Sequence, residues 1–313
     1  MKRALVTLAL CALPVAPALA SEGALGRPIT GLQGTSFAGV VPPTPGWSLG
    51  LSYAYYSGSV SAQRESPLPG GGSALGLEVT AQLFSITGIY VWDTGEGRWN
   101  FASVAVVPFA KMDAEADLRI GSASGSVSDS DTGLFDMAIV PVIASRHFSA
   151  TQHLSLALYI FAPTGSYEEG RLAELSLNNW TYSPTVGYTQ LFQKGSLEFS
   201  ALAAVDFYTE NHATDYQNGA VFRLDSLLVK RFSNGWGVGA AGGWIEQLQD
   251  DDAAIADRLD GFKGHSLALG PVVTFAKKWE GGQVEFSARW LHEFDVENRF
   301  QGDPFLLSAS IQF

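Results

Sequence analysis

The chain has 313 residues, 31 Asp and Glu against 19 Lys and Arg, a formal net charge of -12 and a single Cys. So acidic a chain offers no basic face to release counterions from phosphates, which excludes nucleic acid as a partner. With 34 Gly, 12% aromatic and only 16% charged residues, it has the composition of many short strands with Gly-rich turns and an aromatic belt.

Residues 1–20 read as a secretory leader: Lys2 and Arg3, an apolar run over 4–13, then small residues ending Ala18-Leu19-Ala20. Cleavage is expected after Ala20. Lys2, Arg3 and Cys11 would leave with it, giving 17 basic against 31 acidic groups, or -14, and no thiol for a disulfide or metal site. Leu10 is too large for a lipidation site at Cys11. The Gly- and Pro-rich stretch over 21–46 reads as a candidate plug, and residues 47–313 as the folded domain. Beyond residue 20 no run of eighteen apolar residues occurs, so no helical membrane span is expected.

From Trp47 the sequence alternates with period two, Trp47, Leu49, Leu51, Tyr53 and Tyr55 against Ser48, Gly50, Ser52 and Ala54. The same pattern recurs over 75–92, 99–111, 133–146, 154–163, 180–192, 197–208, 220–232, 236–247, 266–278, 284–295 and 304–313. The fold class is therefore all-β; periodicity alone also fits a soluble sandwich, but the leader, the alternation of connections and strands near the length a tilted membrane strand requires favour an antiparallel transmembrane β-barrel of about 12 strands. Short turns (Asp93-Thr94-Gly95, Ser149-Ala150-Thr151, Lys194-Gly195, Asn234-Gly235, Glu280-Gly281-Gly282) take turns with longer polar connections over 57–74, 113–132, 164–179, 209–219, 248–265 and 297–303. This alternation predicts periplasmic turns and extracellular loops in a cell outer membrane.

A charge facing lipid at mid-membrane costs about 2–4 kcal/mol, so strand charges belong in the lumen. The predicted lumen set is Glu78, Asp136, Arg146, Glu198, Asp206, Arg223, Asp225, Arg231, Glu285 and Arg289, with Arg223 pairing Asp225 and Glu285 pairing Arg289. The last strand alternates Phe305, Leu307, Ala309, Ile311 and Phe313 with smaller or polar residues. It resembles the C-terminal strand of outer-membrane barrels, whose terminal aromatic is part of the signal read by the assembly machinery. Outer-membrane lipid and lipopolysaccharide are the other expected partners.

Pro163-Thr164-Gly165-Ser166-Tyr167, Asn178-Asn179-Trp180, Glu210-Asn211, Thr214 to Gly219, Gln247 with Asp250 and Asp251, and Gly270-Pro271 follow one another in the second half. Upstream, Pro42 to Gly46 runs into Tyr53-Ala54-Tyr55-Tyr56. In this order the motifs resemble the outer-membrane transporter-like family labelled as the meta-pathway of phenol degradation. The resemblance covers about 42–313. It implies a channel or transporter for small hydrophobic or aromatic compounds, working by passive or facilitated diffusion without a cofactor. Turn chemistry accounts for these motifs without a ligand. The functional reading is a mouth where a small hydrophobic ligand docks, formed by Tyr167, Asn211, Asp215, Tyr216 and Gln247.

Other chemistry is thinly represented. The five His residues fall in no metal-binding spacing. Asp250-Asp251-Asp252 and the set Asp113, Glu115, Asp117 lack the ligand order of a calcium loop and read as solvated carboxylates. His147-Phe148-Ser149 is similar to the start of a phospholipase motif, but Ala150-Thr151 follows where Asn-Gly belongs. The chain therefore reads as a non-enzyme. A structural or adhesive surface barrel is the second reading, and an outer-membrane lipid hydrolase the third.

Overall fold

The computed structural model describes residues 28–60, 66–68, 72–95, 97–120, 123–258, 261–280 and 282–312. The leader, its cleavage point and Phe313 lie outside the described residues. In chain order the strands are β1 (Gly46–Val60), β2 (Gly72–Val91), β3 (Trp99–Ile120), β4 in two parts (Ala123–Leu134, Ala138–His147), β5 (Gln152–Phe161) and β6 (Thr181–Phe192). They continue with β7 (Leu197–Tyr208), β8 (Val221–Arg231), β9 (Trp236–Gln247), β10 (His265–Trp279), β11 in two parts (Gly282–Trp290, His292–Glu297) and β12 in two parts (Gln301–Gly302, Phe305–Gln312). A short strand, Ser66–Leu68, pairs with the start of β2.

Each strand pairs antiparallel with its chain neighbours, and β12 returns to β1, with Leu49 opposite Ile311 and Tyr55 opposite Phe305. The sheet closes into a twelve-stranded barrel. Closure leaves no edge, so the backbone groups are satisfied within the sheet, the condition for a strand to stand in hydrocarbon. Short turns lie at one end and long connections at the other, as the sequence predicts. Among the described residues, no helix is long and apolar enough to cross a membrane.

The two faces are inverted relative to a water-soluble sandwich. Outward positions such as Phe207, Leu228 and Phe286 are each nearly half exposed, while the alternating Glu198, Ser200, Asp206 and Arg223 are buried. So large an exposed apolar surface is stable against lipid and would aggregate in water. Outward aromatics pair at both ends: Trp47 with Tyr90 and Trp236 with Phe275 at the turn end, each 5.0 Å between ring centroids, and Phe222 with Trp244 at 5.2 Å toward the loops. These are the girdles expected at membrane interfaces.

Two regions of the barrel depart from expectation. Residues 113–132, read as a loop, are largely a hairpin made by the ends of β3 and β4, and β1 and β2 extend similarly, Val60 pairing with Leu77. Here Ala114 and Ala116 face inward while Glu115 is exposed. Above the apolar band the outward positions carry acids, which hides the strand from a hydropathy reading. Glu78 belongs to this region. It pairs with Glu115 and is exposed on the outer face, not in the lumen.

Arg146 lies in the second region. The register of β4 shifts against both neighbours, between Ala102 and Val104 on β3 and between Ile139 and Ile143 on β5. A bulge inserts a residue and exchanges the faces beyond it. Ala138 and Val140 are buried before it, Ser145 after it. Arg146 therefore points outward, its guanidinium 5.3 Å from the Trp99 ring and 5.4 Å from the Phe148 ring, within the turn-end girdle. Its long stem places the charge at the interface.

Candidate functional site

Residues 28–45 run through the lumen from the loop end to the turn end, where they enter β1. At the turn end Val41 packs on Val91 and Ala102. Above it, the Gly39 N–H donates to Thr189 Oγ1 (3.0 Å), and the Gly39 and Ala38 carbonyls accept from Ser145 Oγ and Ser155 Oγ, both at 2.8 Å. The Phe37 N–H donates to Glu198 Oε1 (2.7 Å), and Ser36 Oγ accepts from Arg231 Nη2 (3.0 Å). Higher up, the Leu32 carbonyl accepts from Arg289 Nη2 (2.7 Å), and Thr30 Oγ1 lies 2.7 Å from Ser266 Oγ. At the loop end the Pro28 carbonyl accepts from Arg299 Nη2 (2.7 Å). Small wall residues make room for this path. A Cβ on Gly187 would lie 2.2 Å from the Ala38 oxygen, and one on Gly243 would lie 2.2 Å from the Gly31 nitrogen. Only glycine permits so close a backbone approach.

The inward charges meet this segment. Glu198, Asp206, Arg223, Asp225, Arg231, Glu285 and Arg289 all occupy inward positions. The expected Arg223–Asp225 pair forms, though Asp206 is nearer, and the expected Glu285–Arg289 pair is replaced. Arg223 Nε is 3.2 Å from Asp206 and its Nη1 4.0 Å from Asp225, while Glu285 pairs with Arg231 (3.2 Å), which also holds Glu198 at 2.6 Å. Cross-strand neighbours stand closer than residues two apart on one strand, so the nearer carboxylates come from other strands. Burying these ions costs several kcal/mol each unless they are paired and hydrogen-bonded. Arg231 meets that condition with Glu198 and Glu285, whereas Arg223 Nη1, Asp225 Oδ1 and Arg289 Nε are buried without a hydrogen-bond partner.

The loop end is closed by residues 162–180 folding inward. Asp136, at the interruption in β4, accepts the backbone N–H groups of Thr164 (3.0 Å), Gly165 (3.1 Å) and Leu177 (3.1 Å). It is a loop anchor, not an open lumen charge. Asp129 accepts from Arg171 Nε (3.1 Å) and Nη2 (2.7 Å) and from the N–H groups of Leu172 and Ala173. This sets Leu172 and Ala173 on a cluster with Tyr56, Leu77, Val79, Ala114 and Phe300, against which Ile29 of the threaded segment also packs.

Burial pushes the Glu174 carboxyl in this loop up to about 7, helped by Asp131 and Asp129, while the Glu168 N–H and Arg171 oppose the shift. A carboxyl whose folded value lies above its ordinary 4.5 favours the packed loop while protonated. That contribution is full below pH 4.5 and is lost as pH rises to about 7. Limited proteolysis of the loop is therefore expected to accelerate from pH 5 to pH 8 relative to a Glu174→Gln variant, in which the ionisation is absent. Equal ratios at both pH values would remove Glu174 from loop control.

Four of the five predicted mouth residues are brought together, and the chain itself engages them. Asn211 Nδ2 donates to Tyr167 Oη (3.0 Å), and Asn211 pairs backbone to backbone with Tyr216. Tyr216 Oη donates to Asp251, which also accepts from the Gly219 N–H and from Gln247 Nε2, both at 2.7 Å. Asp251 thus braces two loops, a role its place in an acidic triplet concealed. Asp215 is exposed in a left-handed turn (φ 51°). His147 and Ser149 are not joined: the ring nitrogens of His147 face His153 and Asn100, each at 2.6 Å, and Ser149 Oγ lies 3.2 Å from Thr151 Oγ1.

A family model described as "Putative MetA-pathway of phenol degradation" matches residues 62–308. The chain belongs to this family. The COG4313 outer membrane channel from Pseudomonas putida F1 shares the fold, with a TM-score of 0.68 at 13% identity, over 89% of this chain and 99% of that one. A Pseudomonas aeruginosa FadL homologue aligns over 95% of this chain and 98% of its own, at 9% identity and a TM-score of 0.41. No curated protein matches. In this family member the Pro163-Thr164-Gly165 motif has a local explanation. A Cβ on Gly165 would lie 2.2 Å from the Leu175 oxygen, so the motif lets the inward loop double back on itself.

Proposed function

We propose that the chain is an outer-membrane channel passing small hydrophobic and aromatic compounds by passive or facilitated diffusion, closed by residues 28–45 in the state described. The turn end faces the periplasm and the loop end the exterior, with lipid and lipopolysaccharide around the apolar belt. The observation that carries this reading is the threaded lumen. The segment is held mainly by hydrogen bonds to wall side chains, each with a net worth of about 1 kcal/mol where both groups are neutral and about 1.5–3 kcal/mol where the wall group is charged. Such a closure is removable without unfolding the sheet. The family's description, and the channel named among the similar structures, support the same reading.

The test is entry of labelled aromatic and aliphatic compounds into proteoliposomes holding the refolded chain, against empty liposomes. Selective, protein-dependent entry of small apolar compounds is expected. No entry for any compound, with the barrel shown to be folded, would favour a structural or adhesive surface barrel instead.

A further inference from the structure

Phe37 stands out within the threaded segment. Its backbone is left-handed (φ 55°), a conformation that costs a residue with a Cβ about 1 kcal/mol or more. Its ring lies over the Arg231 guanidinium at 4.7 Å, and its N–H donates to Glu198 Oε1 at 2.7 Å. Arg231 is held rigid beneath the ring, donating to both Glu198 and Glu285 and to Thr274 Oγ1. The Glu198 side chain is fully buried and also accepts from Ser200 Oγ at 2.8 Å. The wall therefore presents a flat cation for an aromatic face beside a buried carboxylate oxygen that accepts from Ser200 Oγ and takes its second donor, the Phe37 N–H, from the segment. Both belong to the barrel and persist when the segment leaves.

We propose that Arg231 and Glu198 form a binding site for a neutral arene carrying a hydroxyl donor, and that Phe37 occupies this site as an internal surrogate. The ligand's ring replaces the Phe37 ring on Arg231, and its hydroxyl replaces the Phe37 N–H on Glu198. Binding the arene and seating the segment are mutually exclusive, so the ligand opens the lumen by competing with Phe37. Charge selects the ligand class. One guanidinium faces two carboxylates, Glu198 and Glu285, so an arene bearing its own carboxylate is repelled. A saturated ring of the same size lacks the π-face that the cation attracts.

This assignment deepens the channel reading and rests on it. The probes are phenol, cyclohexanol and benzoate, added to single channels of the refolded chain in planar bilayers. Phenol is expected to raise the open fraction about tenfold, with cyclohexanol and benzoate near baseline. Phe37→Ala is expected to be open without any probe and to gain little from phenol, with its heat-dependent gel shift confirming a folded barrel. Opening by cyclohexanol or benzoate equal to that by phenol would overturn the proposal, as would a folded Phe37→Ala channel no more open than wild type. If a chain lacking residues 21–41 conducts while phenol has no effect, this site is wrong and the channel reading stands. If that shortened chain does not conduct either, the channel reading itself fails.

Discussion

Deleting residues 21–41 is expected to raise single-channel conductance in planar bilayers several-fold while leaving the barrel folded. β1 begins at Gly46, so every strand pairing that closes the sheet survives the deletion. The lumen loses the chain that runs from Pro28 beside Arg299 to Val41 beside Val91. Arg231 keeps its ion pairs to Glu198 and Glu285, so its charge is not stranded. Arg289 loses the Leu32 carbonyl and gains water from the opened bore. A Gly187→Leu substitution checks the same point without shortening the chain. Its Cβ would lie 2.2 Å from the Ala38 oxygen, so the segment must leave its track or the wall must bend. Conductance unchanged in both variants would show that the segment does not control passage.

Asp136→Ala is expected to release the inward loop and to cost about 3 kcal/mol or more of the free energy holding it packed, because each stranded backbone donor costs roughly 1–3 kcal/mol. Asp136 is buried and accepts from Thr164, Gly165 and Leu177, which lie on both arms of the loop. Without the carboxylate these N–H groups are satisfied only by admitting water. That separates Leu172 and Ala173 from Tyr56 and Phe300. Hydrogen exchange should show loss of protection over 162–180, with the strands unchanged. Protection equal to wild type would place the closure in the Asp129 and Arg171 contacts instead.

Much of the candidate site was legible because lipid imposes a local rule. Wherever a strand stays regular, as in β7, β8 and the first part of β11, period two assigns Glu198, Asp206, Arg223, Asp225, Arg231, Glu285 and Arg289 to the lumen, and all seven are there. The rule failed at Arg146, where a bulge exchanges the faces. It failed at Glu78 because beyond the apolar band an outward charge is no longer penalised. The mouth residues were recognisable as a group. Asp251, which joins Tyr216, Gly219 and Gln247, was not, since a carboxylate in an acidic triplet looks the same whether it is solvated or bonded.

The sequence by itself determined an all-β fold of about twelve antiparallel strands in which short turns alternate with long connections. Those follow from side-chain alternation and turn chemistry, which act between residues near in the chain. Only the tertiary structure decided that residues 28–45 thread the lumen, that Phe37 rests on Arg231 and that Asp136 and Asp129 draw one loop inward. These contacts join residues more than twenty positions apart, and up to 271 between Pro28 and Arg299. Their geometry is set by the register in which twelve strands close, and no local period encodes that register.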